Sequence, residues 1–115
     1  MSDWYPYEEG ATLGIRGTEG GTILTDEEHP IGARITLERD CLRAPYAITT
    51  LIYNWTVHTR FIADEPTAFH EYQAMKATLQ SDVLPQIPVT EADDDYAADY
   101  DAIGDLLVEF AERYP

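Results

Sequence analysis

The hydrophobic period of this chain changes once, near Ile62, and that change limits the folds open to it. Ahead of it apolar residues tend to recur at every second position, and behind it at intervals of three and four. Period two marks a half-buried strand, and a period of about 3.6 marks an amphipathic helix. A run of strands followed by a run of helices predicts an α+β arrangement in two layers, with a largely antiparallel sheet. At 115 residues the chain is expected to form a single domain, residues 1–115.

The sheet is expected to have four or five strands over about residues 11–62. Ala33-Arg34-Ile35-Thr36-Leu37-Glu38 alternates strictly, and Thr12–Gly17 and Trp55–Ile62 alternate too. Tyr46–Tyr53 is rich in β-branched and aromatic residues, with Asn54 as either a tight turn or a bend in one long strand. Gly17-Thr18-Glu19-Gly20-Gly21 suits a hairpin turn, with Thr22–Thr25 returning, while Asp26–Gly32 and Asp40–Pro45 read as loops. Alternation then assigns Leu13, Ile15, Ile35, Leu37, Trp55, Val57 and Phe61 to the core. It leaves Arg16, Arg34, Glu38, His58 and Arg60 for an open sheet face.

Two amphipathic helices are expected to pack on one face of the sheet, over about residues 65–84 and 91–113. Asp64 suits the N-cap of the first, with Glu65 and Pro66 in its first turn; Pro85 and Pro88 end it. Its apolar arc is Phe69, Tyr72, Met75, Leu79 and Val83, with His70 and Gln73 opposite. The second helix carries Tyr96, Tyr100, Ile103, Leu107, Phe110 and Tyr114 on one face.

Charge adds a second constraint. Seven Lys+Arg stand against 22 Asp+Glu, a formal charge of −15. This excludes a phosphate-tracking nucleic-acid binder and argues against docking on anionic membranes. The excess is uneven: residues 1–62 hold nine acids and five arginines, net −4, and residues 63–115 hold thirteen acids and two bases, net −11. Asp94, Asp101, Asp105, Glu109 and Glu112 form a stripe on the second helix, with no lysine within a turn to offset them. Like charges at i,i+4 cost about 0.2–0.5 kcal/mol per pair, and acids near a helix C-terminus oppose its dipole. No apolar run reaches the length of a membrane span, and Met1–Gly10 lacks the pattern of a signal peptide. Cys41, the one cysteine, cannot form an intrachain disulfide, so a cytoplasmic protein is expected.

Motifs for chemistry are few. Gly14-x-x-Gly17-x-x-Gly20-Gly21 lacks both the P-loop ending and the dinucleotide spacing. Asp99-x-Asp101 leading to Gly104 fails two positions of a calcium loop. Asp26-Glu27-Glu28-His29 offers metal-ligand types but reads as an exposed acidic turn, so no metal is assigned. Cys41 has Arg43 two residues on but no surrounding signature of a nucleophile. Trp4-Tyr5-Pro6-Tyr7 is expected to cover part of its own domain.

The preferred function is a non-catalytic domain that binds a basic protein through Asp94, Asp101, Asp105, Glu109 and Glu112, as an immunity protein or antitoxin does. The alternative is a small enzyme or anionic-ligand binder using Arg16, Arg34, Glu38, His58 and Arg60, since arginine offers a fixed fork of donors. No catalytic residue and no cofactor are assigned. A homo-oligomer whose interface completes a site is a third expectation.

Overall fold

A computed structural model of the chain describes residues 3–53, 55–87 and 100–115, without the side chains of residues 100–102. A five-stranded antiparallel sheet is followed by helices. The strands are β1 (Tyr5–Pro6), β2 (Thr22–His29), β3 (Ala33–Arg39), β4 (Tyr46–Ile52) and β5 (Thr56–Ile62), and they lie side by side in chain order. Helix α1 (Glu65–Thr78) continues through a π turn, Leu79–Val83, into the 3₁₀ turn Leu84–Gln86; α2 spans Tyr100–Arg113. Asp64 caps α1 as its sequence predicts, its carboxylate accepting from the Thr67 N–H at 3.0 Å. Hydrogen bonds from the Thr67 side chain and then its backbone N–H hold the Asp64 carboxyl below the usual range. No helix of the described residues is long and apolar enough to cross a membrane.

Register decides which side of each strand faces the helices. Ala33, Ile35 and Leu37 of β3 lie opposite Ile52, Thr50 and Ile48 of β4, and this set is buried. Ala68, Tyr72, Met75, Leu79 and Val83 meet it from the α1 side, and Ile103, Phe110 and Tyr114 add the face of α2. Trp4 joins the same core, its ring edge-on to His29 at 5.1 Å, so the N-terminal aromatic segment covers its own domain. Phe69, expected on the buried arc, is 41% exposed; Ala68, one position earlier, takes the buried place.

Three expectations are corrected. Thr12–Gly17 is not a strand: only Arg16 bridges to Thr22, and the segment otherwise turns over the sheet. Leu13 and Ile15 are therefore exposed, not core. Asp26–His29 is not a loop but the end of β2, because each of its polar side chains finds a partner on one face of the sheet or the other. Finally, β5 has the opposite parity. Ile62 is buried opposite Tyr46, so His58 and Arg60 share its side, while Val57 and Phe61 are exposed on the other. Alternation defines two sets of residues but does not say which set faces the helices.

β4 and β5 are separate strands, Ile52 lying opposite Thr56; Asn54 lies outside the described residues. So do residues 91–99 of the expected second helix, with Tyr96 and Asp94 among them, and the side chains of Tyr100 and Asp101.

Candidate functional site

The sheet face turned away from the helices carries rows of side chains set by register. One row runs Asp26, Thr36, Thr49, Thr59 across β2 to β5; beside it runs Glu28, Arg34, Leu51, Val57. A third runs Ile23, Glu38, Ala47, Phe61. The segment from Thr12 to Glu19 folds over part of this surface and leaves a pocket of about 620 Å³. Its wall includes Thr12, Ile15, Arg16, Gly17, Thr18 and Glu19, and its floor comes from the three rows.

Most charged groups of this sheet face are already committed. Asp26, 2% exposed, accepts from Arg34 Nε at 2.8 Å and a terminal Arg34 nitrogen at 2.6 Å. It also accepts from the Thr12 hydroxyl at 2.7 Å and the Thr36 hydroxyl at 3.1 Å. The Arg34 guanidinium lies 3.8 Å from the centre of the Tyr7 ring. Glu28 takes hydroxyl bonds from Tyr5 and Tyr53.

Glu38 is fully buried and accepts from the backbone N–H groups of Glu19, at 3.2 Å, and Gly21, at 3.1 Å. A Cβ on Gly17 would overlap the Glu38 carboxylate, so with any other residue there the buried Glu38 side chain must shift for the turn to close over it. Burial pushes the Glu38 carboxyl above the ordinary glutamate range, against the pull of the two N–H groups. A raised carboxyl pKa means that the folded chain holds this proton more tightly than the unfolded chain. Ionised Glu38 therefore opposes folding above its folded pKa, and the opposition fades as pH falls through that value. Glu38→Gln keeps an acceptor oxygen for both N–H groups. It is expected to be more stable than the parent near pH 7, with the gap closing below about pH 4. Urea unfolding across this range checks it; a gap that does not change with pH contradicts the reading.

Of the five residues expected on an open face, the structure brings three to this pocket. Arg34 and Glu38 lie on its floor and exposed Arg16 at its mouth. His58 and Arg60 point to the helix layer instead. His58 Nε2 hydrogen-bonds the Tyr114 carbonyl, and Arg60 donates to Glu71 at 2.9 Å, so both tie the edge strand to the helices. Sequence reasoning missed Asp26. Its signal was the polar pattern itself, because Asp26 could be matched to Arg34 and Thr36 only once β2 was extended through it.

The acidic helix face has its own geometry. Asp105, Glu109 and Glu112 are exposed on α2, as is Val108 at 56%. None of the three carboxylates has an ion-pair partner among the described residues. Beside them a depression of about 130 Å³ separates α2 from the end of α1. Val83, Leu106 and Phe110 give it an apolar lining, and Asp82, Glu109 and Arg113 stand around it.

Other candidate chemistry does not assemble. No group of three or more His, Cys, Asp or Glu side chains suited to a metal occurs among the described residues. In Asp26-Glu27-Glu28-His29 successive side chains lie on opposite faces of β2. Burial, with Glu38, Glu19 and Asp40 nearby, pushes the Cys41 thiol up to about 11, the reverse of an activated nucleophile. Comparison with protein-family models, with curated proteins and with solved structures finds no match to this chain.

Proposed function

We propose that this chain is a non-catalytic binding domain for a basic protein, acting through the acidic face of α2. The observation that carries this reading is the depression beside Glu109. It sets an apolar lining beside the Glu109 carboxylate, which has no ion pair among the described residues, whereas Asp82 across it is paired with Arg113 at 4.0 Å. This suits the aliphatic stem of a lysine or arginine whose cationic head meets Glu109. Asp105, Glu109 and Glu112 repel one another along this face, and Glu112 in the last turn also opposes the helix dipole; a cationic partner relieves both effects. Asp94 and Asp101, whose side chains lie outside the described residues, belong to the same proposed surface by sequence alone. A net charge of −15 would also speed encounter with such a partner. Neutralisation of a basic toxin or nuclease, in the manner of an immunity protein or antitoxin, is the concrete form we favour. A cytoplasmic location accords with the single cysteine, and the charge balance opposes nucleic acid as a partner.

The test compares the full chain with its Asp105→Lys/Glu109→Lys/Glu112→Lys variant as baits in native lysate of the source cell. The parent is expected to retain a basic protein at low salt and lose most of it at high salt; the variant is expected to retain none. Retention of no basic protein, or equal retention by both baits, overturns the reading. All three sites are exposed, so the variant is expected to match the parent in stability or exceed it slightly.

A further inference from the structure

We propose that the open-face pocket is a binding site for a monocarboxylate with an apolar body, the class that includes medium-chain fatty acids and arylalkanoic acids. Its volume of about 620 Å³ lies within the roughly 300–1,000 Å³ of small-molecule sites. Polar accounting names the head group. Arg34 is neutralised by Asp26, and Glu38 is held by backbone N–H groups. Arg16 is the one cation of the lining with no ion pair among the described residues. Its fork of donors matches a carboxylate.

The body follows from what lies beside it. Ile15 and Val57, 51% and 65% exposed, flank the mouth, and Leu51 neighbours Val57 on the floor. Exposed apolar side chains gathered at a concave site mark a ligand surface more often than isolated ones do. Thr49 and Thr59 bond to each other at 3.3 Å, which leaves hydroxyl capacity toward the pocket. The same accounting excludes polyanions. Arg16 answers one negative charge; a second finds Arg34 already paired with Asp26, and Glu19 in the lining has no ion pair among the described residues.

This site is separate from the acidic face of α2, and the two readings stand or fall independently. The test is a titration of the ¹⁵N-labelled full chain with octanoate, with 1-octanol as the uncharged control. Octanoate is expected to bind saturably at one site, shifting the amides of Thr49, Leu51, Val57 and Thr59. Octanol and Arg16→Gln are each expected to weaken binding about tenfold, and Val57→Asp to abolish it. Arg16 and Val57 are exposed, so both variants are expected to fold, as unchanged dispersion of the remaining amide resonances will show. Absence of saturation, shifts that map elsewhere, equal binding of octanol, or unchanged affinity of Arg16→Gln overturns the proposal. The triple lysine variant of α2 is expected to bind octanoate as the parent does; loss of binding there also counts against a separate site.

Discussion

Asp26→Ala is expected to lower the unfolding free energy by about 3–5 kcal/mol, a large share of the roughly 5–15 kcal/mol typical of a domain. The substitution does more than delete one ion pair. It strips the partner from an arginine whose side chain is 27% exposed and from two hydroxyls that Asp26 holds from both sides. Thr12 belongs to the segment that roofs the open-face pocket, so the loss also loosens that roof from β2. Breaking a buried pair by removing one member is costly because the other charge is left uncompensated. Urea denaturation checks the magnitude; a loss below about 1 kcal/mol would place the pair with ordinary surface salt bridges.

Tyr72→Ala is expected to cost about 3–5 kcal/mol, and Tyr72→Phe about 1–2 kcal/mol. Tyr72 is 1% exposed, and its ring lies in the core between α1 and the sheet. Its hydroxyl donates to Glu27 at 2.7 Å, and Lys76 reaches the same carboxylate oxygen at 2.8 Å. Burial and the adjacent Glu27 push the Tyr72 hydroxyl far above its ordinary range, so it remains a proton donor at any pH the fold meets. In the phenylalanine variant Lys76 still answers Glu27, which keeps the loss small. Urea denaturation of both variants separates the ring from the hydroxyl; equal losses would mean that the polar contact carries the helix–sheet joint.

What could be read in the sequence follows from how much each signal depends on partners. Ala33–Glu38 was legible because alternation and β-branched residues agree there. Asp64 was legible because an N-cap acts within four residues. The parity of β5 was not, because Trp55–Ile62 has apolar residues in one set and His58, Arg60 and Ile62 in the other. The buried side is chosen by Ile48 and Ile52 across the sheet and by Glu71 and Tyr114 from the helices. The same limit hid half of the candidate site. Arg34 and Glu38 were correctly set on a common face of β3, but His58 and Arg60 were joined to them through the wrong parity. Asp26 was concealed in a run of acids that resembles a turn until β3 supplies its partners.

Both candidate surfaces become plainer once the internal pairs are removed from the charge count. Arg34, Arg60 and Lys76 each answer a specific carboxylate within the fold. The acids of α2 and the guanidinium of Arg16 have no such partner among the described residues, and these are the groups on which the two readings rest.

The chain-order arrangement of the sheet also bears on how the protein is made. From β2 onward each strand pairs with the one just synthesised, so β2 to β5 can zip together by short-range closures with little loop entropy to overcome. Ile35, Leu37, Ile48 and Ile52 then lie on a bare apolar surface until α1 leaves the ribosome to cover them. During that interval the growing chain exposes a sticky sheet, and Tyr72 and Met75, well inside α1, must emerge before the hazard ends.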